Sequence, residues 1–212
     1  MNTQSTEQIE NKSDVQGGKS MNIIGIIASQ RKEGNTAFIV NQILEGAKEQ
    51  GAETEAFRFS DLDIKPCRGC NGCKQSDRGC VINDDMQKIY DALEHADVII
   101  LGLPIYMGQM SAQGKIFMDR LYARFSPRFC PFFKENALKQ KLILSFSQGN
   151  PDSGLFEPYI DYTKHMFEIL EFDVKAIPVI TGMRNGPACE REDLRTNLKN
   201  FGAALVLEES QK

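Results

Sequence analysis

From Met21 onward, short apolar runs alternate with longer stretches whose apolar residues recur at helical spacing, the signal of a parallel sheet with helices on its faces. Strands are predicted at Asn22–Ala28, Glu53–Phe59, Val98–Leu103, Leu142–Phe146 and Val174–Ile180. The first, third and fourth (NIIGIIA, VIILGL, LILSF) are nearly all apolar, as strands buried on both faces should be. The second, ETEAFRF, alternates polar and apolar residues and suits a sheet edge. Helices are predicted over Thr36–Gln50, Asp84–His95, Ser111–Arg124, Leu155–Leu170 and Arg191–Leu207. Five such units with an edge-like second strand predict a three-layer α/β sandwich around a five-stranded parallel sheet in the order 2-1-3-4-5. Ligands of such sheets sit at the carboxyl ends of the strands, so chemistry is expected in the loops after Ala28, Phe59, Leu103, Phe146 and Ile180.

The chain has 212 residues, one domain's worth, and residues 1–20 are polar and without periodicity. They are read as a disordered extension ahead of a domain over residues 21–208. Their Gly-Gly-Lys-Ser ending is no phosphate loop, because the earlier glycine of that motif would fall on Ser13 and no strand precedes it. Twenty-five Lys and Arg face 29 Asp and Glu for a net charge of −4, and neither sign forms a block. That disfavours nucleic acid held by bulk electrostatics. No apolar run approaches the roughly 18 residues that span a bilayer, and residues 1–20 lack the apolar core of a signal peptide. A cytoplasmic protein without membrane contact is expected. There is no Trp, and four of the six Cys lie between Cys67 and Cys80. In a chain without an export signal, such clustering points to metal or redox chemistry rather than structural disulfides.

Ser29-Gln30-Arg31-Lys32-Glu33-Gly34-Asn35-Thr36 joins a buried strand to an amphipathic helix. It supplies free backbone N–H groups at a helix N-terminus, with Ser29, Asn35 and Thr36 as short donors and Arg31 as charge, which suits a phosphate monoester. The plainer alternative is a solvated turn in which Asn35 or Thr36 caps the helix. The dinucleotide-binding glycine fingerprint is absent, since Ala28 and Gln30 hold its turn positions. The stretch Ala28–Thr36 resembles the FMN phosphate loop of the NADPH-dependent FMN reductase and flavodoxin-like superfamily, Gly-Ser-x-Arg-x-x-Gly-Asn-Thr, with Ala28 in place of the first glycine.

Pro104-Ile105-Tyr106-Met107-Gly108-Gln109, after the third strand, is similar to the Pro-x-Tyr-x-Gly/Asn loop that meets the isoalloxazine ring in that superfamily. The alternative is a Tyr packed on the next helix. With no Trp, a Trp-sandwiched flavin is excluded, and backbone hydrogen bonds, Tyr106 or a partner subunit must supply the ring contacts. Ser147-Gln148-Gly149 looks like the family's third flavin-side loop. It is no hydrolase elbow, because Ser145 stands where that motif needs Gly.

Cys67, Cys70, Cys73 and Cys80 give the spacing Cys-x2-Cys-x2-Cys-x6-Cys within residues 66–83. Two-residue gaps let three thiolates converge on one polynuclear centre, with Gly69 and Gly72 permitting tight winding and Arg68, Lys74 and Arg78 offsetting charge. A mononuclear zinc more often uses two separated pairs. Unliganded or disulfide-forming thiols and zinc remain alternatives to [4Fe-4S], whereas a phosphatase loop fails on its Cys-to-Arg spacing. Pro66–Cys73 with Cys80–Met86 resembles the iron-sulfur flavoprotein family, where this loop of a flavodoxin-like fold holds [4Fe-4S] beside FMN.

The resemblance, over about residues 21–205, implies an FMN-dependent electron-transfer oxidoreductase, with NAD(P)H or a ferredoxin-like carrier as electron partner and a homodimer or homotetramer as its assembly. Two alternatives stand beside it: a cluster-free NAD(P)H-dependent FMN or quinone reductase, and a thiol redox sensor or zinc-binding module. No acid–base constellation appears, so no catalytic side chain is assigned. His95 and His165 are read as structural, Cys130 as packing or a lid or dimer contact, Cys189 as a spectator, and Asp119 and Arg120 as orienting their helix.

Overall fold

The structure, a computed structural model, describes residues 20–75, 77, 79–125, 140–182 and 186–209. The expectations for residues 1–19, Arg78 and Cys130 lie outside the described residues. Among the described residues, seven strands run in chain order: β1 (Asn22–Ile27), β2 (Glu53–Arg58), β3 (Val98–Tyr106), β4 (Gln109–Met110), β5 (Lys141–Gln148), β6 (Asp173–Ala176) and β7 (Ile180–Thr181). The helices among the described residues are α1 (Asn35–Glu49), α2 (Met86–His95), α3 (Ala112–Arg120), α4 (Glu157–Ile169) and α5 (Glu192–Glu209). The main sheet is parallel in the order β2-β1-β3-β5-β6, which is the predicted 2-1-3-4-5 arrangement of a flavodoxin-like fold.

Side-chain alternation builds the three layers. Ile23 and Ile27 of β1, Val98 and Ile100 of β3, and Ile143 of β5 face α1 and α5 in one apolar cluster. Ile24 and Ile26, Ile99, Leu101 and Leu103, with Leu142, Leu144 and Phe146, face α2, α3 and α4 in the other. Burial on both faces makes these strands continuous apolar runs, while β2 carries exposed Glu53, Glu55 and Ala56 at the edge.

Four expectations are corrected. The third strand continues beyond Leu103 to Tyr106, and the fourth continues to Gln148, because each extension finds a pairing partner: β4 against β3, and β7 against β5. The single strand expected over Val174–Ile180 is two short strands, β6 and β7. The break contains Pro178, which has no N–H to give a ladder. The helix expected over Ser111–Arg124 ends at Arg120 and tightens into a 3-10 turn at Leu121–Phe125.

Helices α1 and α5 cross with their backbones in contact at two glycines. A Cβ on Gly46 would lie 2.0 Å from the Lys199 carbonyl oxygen, and one on Gly202 would lie 2.0 Å from that of Ile43. Gly202→Ala must therefore push the helices apart. The expected cost is about 1–3 kcal/mol, read as a lower midpoint in thermal or urea unfolding.

Candidate functional site

Strand β1 stops level with the end of β2, while β3 beside it and β5 beyond that continue. Ile27 is level with Gly102 of β3, and Gly102 with Ser145 of β5, so β3 and β5 project beyond the end of β1. The β1–α1 turn occupies this notch, held by the Ala28 N–H donating to the Gly102 carbonyl (3.0 Å). Ser29 is buried, and its Oγ accepts from the Arg31 N–H (3.2 Å), which curls the turn. Gly34 caps α1 in extended backbone and has no side chain to accept from the first turn. The first helical bond is Phe38 N–H to the Gly34 carbonyl (2.9 Å), which leaves the N–H groups of Asn35, Thr36 and Ala37 for an anion.

The side chains of Asn35 and Thr36, expected as short donors to a phosphate or alternatively as the helix cap, are bonded elsewhere. Thr36 Oγ1 and Ser147 Oγ share a buried hydrogen bond of 2.7 Å, which joins this turn to β5. Asn35 Oδ1 accepts from the Ala188 N–H (3.0 Å) and so ties the turn to the segment before α5. A Cβ on Gly182 would lie 2.7 Å from Asn35 Nδ2, so that approach needs glycine. Arg31 is exposed, and the neighbouring Lys32 pairs with Asp61 (2.8 Å) beyond the end of β2.

The segment expected as a loop after the third strand is mostly strand. Pro104, Ile105 and Tyr106 belong to β3, Gln109 opens the antiparallel β4, and Met107 and Gly108 make the turn between them. Positive φ at both (49° and 81°) gives the tight hairpin whose twist matches its strands. Met107 adopts a conformation costly for a side chain, and that side chain is fully exposed at the hairpin tip. Pro104 and Ile105 are buried, whereas Tyr106 is about half exposed and accessible from this end of the sheet. The Tyr159 hydroxyl on α4 accepts from the Met110 N–H (2.9 Å) and steadies the hairpin.

Ser147 and Gln148 end β5, with Gly149 just beyond, and Ser147 lies level with Pro104. Gln148 Nε2 donates to the carbonyls of Asn150 (3.2 Å) and Asp152 (2.5 Å). Its Oε1 is buried with no hydrogen-bond partner among the described residues, an acceptor at the site's margin. The three predicted loop groups therefore share one end of the sheet. Sequence reasoning missed Ser111, whose buried Oγ donates to the Ala28 carbonyl (2.6 Å) and accepts from the Gly114 N–H (3.1 Å). A Ser before a helix marks an N-cap, but its bond to β1 has no sequence signal.

The cysteine segment lies between β2 and α2. Cys67 and Cys70 are exposed, and Cys73 and Cys80 are half-buried against the apolar cluster under α2 and α3. The Gly69 N–H points at Cys67 Sγ (3.5 Å), and Gly69 and Asn71 take positive φ (63° and 54°), giving the tight winding expected of the spacing. Burial pushes the Cys73 thiol up; Lys74 opposes it, while Cys80 and Cys67 add to the rise. Lys74 also donates to the Tyr122 carbonyl (3.2 Å) and lies 3.9 Å from the centre of that ring, which pins the loop to the turn after α3. Four thiols, one of them met by a backbone N–H, are a fitting donor set for an iron-sulfur cluster. In this conformation, though, the described residues contain no group of three Cys, His, Asp or Glu close enough to hold a metal ion.

Arg120 does more than orient α3. Its side chain and that of Asp84 are fully buried and joined by two hydrogen bonds (2.6 and 3.0 Å), and Arg120 also donates to the Lys65 carbonyl (2.8 Å). Asp119 instead pairs with Lys115 on the surface. His95 is exposed at the end of α2, His165 lies 3.5 Å from Glu168, and the carbonyl of exposed Cys189 accepts from Arg195 (3.1 Å).

The NADPH-dependent FMN reductase family matches this chain over residues 21–210. An iron-sulfur flavoprotein of Methanocaldococcus jannaschii is 46% identical over 100 residues, 47% of this chain and 51% of that one. An iron-sulfur flavoprotein of Methanosarcina thermophila is 39% identical over 134 residues, 63% of this chain and 66% of that one. The matches thus span only half to two-thirds of those relatives' lengths. Among solved structures, an NAD(P)H:quinone oxidoreductase from Methanothermobacter marburgensis superposes with a TM-score of 0.65 at 16% identity, covering 88% of this chain and 99% of that one. Among the described residues, no helix is long and apolar enough to cross a membrane.

Burial alone would raise the Asp84 carboxyl, but the hydrogen bonds from Arg120 and from the Lys65 and Met86 N–H groups outweigh it, and the carboxyl lies below its ordinary 3.8. A carboxylate favoured by folding stabilises above its unfolded value, and that stabilisation is lost as pH falls through the folded one. Urea unfolding from pH 7 downward should show stability falling as pH drops below about 4. Asp84→Asn should be less stable at pH 7 and show a shallower acid slope.

Proposed function

The chain belongs to the NADPH-dependent FMN reductase family, and from that premise we propose that it is an FMN-dependent oxidoreductase passing electrons between FMN and a [4Fe-4S] cluster. The observation that carries this reading is adjacency. An uncapped, anion-accepting turn follows β1, a four-thiol loop follows the neighbouring β2, and the Lys32–Asp61 pair links the two segments (2.8 Å). The high identity to two iron-sulfur flavoproteins supports it further.

In this reading the phosphate is held by the N–H groups of Asn35, Thr36 and Ala37, with Ser29, Arg31 and Gly34 shaping and charging the turn. The isoalloxazine ring lies against the hairpin Pro104–Gln109, where Tyr106 offers a ring and the backbone offers donors, and Ser147, Gln148 and Gly149 border its other edge. Cys67, Cys70, Cys73 and Cys80 ligate the cluster. Bound flavin exchanges electrons in pairs or singly and a cluster one at a time, so the two together join a two-electron to a one-electron partner. The protein's part is to bind, orient and exclude water, which needs no acid–base residue. NAD(P)H or a ferredoxin-like carrier serves as electron partner, and the protein works in the cytoplasm as a homodimer or homotetramer. The cluster-free NAD(P)H-dependent FMN or quinone reductase is favoured by one observation, the separation of the described thiols.

Anaerobic purification should give yellow-brown protein with FMN and about four iron and four sulfide per chain; flavin without iron would leave only the cluster-free reading. Cys73→Ser should lose iron while retaining FMN. Gly34→Asp separates cofactor binding from folding. The backbone at Gly34 (φ −132°, ψ 170°) suits any residue, a Cβ there would lie 3.2 Å from Arg31 Cβ in the exposed turn, and an N-cap carboxylate should offset that contact and hold stability within about 1 kcal/mol. The same carboxylate occupies the phosphate donors and repels the phosphate, so FMN affinity should fall by about tenfold or more, measured by flavin fluorescence.

A further inference from the structure

Among the described residues Arg120 is the bulkiest of the fully buried side chains, and the proposed electron transfer makes no use of it. Replacing a buried ion pair by apolar groups is often neutral or stabilising, so such a pair is weak evidence for a role in stability. Its contacts point elsewhere. Lys65 immediately precedes the cysteine segment and Asp84 closes it, with all four thiols between them. The Lys65 N–H donates to Asp84 Oδ2 (2.9 Å), and the Lys65 carbonyl accepts from Arg120 Nη1 (2.8 Å). One residue of the incoming stem is thus gripped by both of its backbone groups. Asp84 Oδ1 also accepts from the Met86 N–H (3.1 Å) at the start of α2, and Asp63 and Asp85 exchange a second pair of bonds just outside (2.8 and 3.1 Å). Gln87 donates from α2 to the carbonyls of Cys80 and Ile82 (3.0 and 2.8 Å), and the Tyr90 hydroxyl donates to the Arg120 carbonyl (2.7 Å).

We propose that the Arg120–Asp84 pair is a clasp that positions the cysteine loop by locking its two stems together and to α3, before anything is bound by the thiols. The proposal deepens the cluster reading and rests on it for what the loop carries, while the clasp itself is read from the hydrogen bonds alone. A preformed base shortens the segment that must be ordered when the four thiols converge, which lowers the entropy cost of ligation. Arg120 Nε is buried without a partner among the described residues.

The test compares the full chain with Asp84→Leu/Arg120→Met, Arg120→Lys and Asp84→Asn. The readouts are FMN affinity, amide exchange across residues 66–83 in metal-free protein, and iron retained after anaerobic reconstitution and chelator challenge. In the double variant, FMN affinity should stay within about twofold because the flavin turn is separate from the pair. Exchange across the loop should rise by about tenfold or more, and iron retention should fall by about tenfold or more. Arg120→Lys keeps the charge but cannot span Lys65 and both Asp84 oxygens, so it should behave like the double variant. Asp84→Asn, which keeps an acceptor for the Lys65 N–H, should recover part of the protection. Wild-type exchange and iron retention in the double variant or in Arg120→Lys would overturn the clasp. If the double variant does not fold, the two single variants decide by the same criteria. If the wild-type chain takes up no iron, the cluster reading falls, and the clasp stands or falls on the exchange measurement.

Discussion

The stagger of strand ends at one edge of the sheet is the constraint from which the rest of the site follows. Because β1 stops at Ile27 while β3 and β5 run on to Tyr106 and Gln148, a notch opens at the point where the strand order reverses. Into it the chain turns and starts α1 with an uncapped helix end. A helix N-terminus in such a position concentrates free N–H groups and the positive end of the helix dipole at a single point. The surrounding bonds hold that point in place. Ser111 fastens the Ala28 carbonyl, Thr36 meets Ser147 across the sheet, and Asn35 anchors Ala188. Three helices and three strands thus converge on one turn, so its donors are arranged before a ligand arrives.

A second site is built beside the first on a different principle. The cysteine segment has no strand ladder to define it, and two of its thiols, Cys67 and Cys70, are exposed. Order comes from its base, where a buried guanidinium and carboxylate hold the stems, and from Lys74, which fastens its middle to Tyr122. Desolvating two charges is expensive, and losing either partner of such a pair costs about 3–5 kcal/mol. Here the pair also satisfies backbone groups of the incoming and outgoing stems, so its bonds serve both charge compensation and geometry.

Much of this was legible from the residues in order. The runs NIIGIIA, VIILGL and LILSF could only be strands buried on both faces, and ETEAFRF only a half-exposed edge, so strand order followed from pattern. The Ser29–Thr36 turn and the four-cysteine spacing were visible because each packs its chemistry into a short contiguous stretch. The hairpin was not, since nothing local in VIILGLPIYMGQM marks where pairing with β4 lengthens a strand. Asn35 and Thr36 read as side-chain donors to a phosphate, or else as helix caps, but each side chain turns away to a residue more than a hundred positions distant.

Sequence by itself determined the fold class and marked the short stretches that carry candidate donors, because periodicity, turn residues and cysteine spacing are local properties of the chain. Tertiary structure alone decided which donors remain free and which are consumed in holding the site. It placed Arg120 against Asp84, Ser111 against Ala28 and Gly46 against the backbone of α5. Those pairings join residues that are neighbours only once the sheet has formed, and burial, a property of the whole fold, sets what each of them contributes.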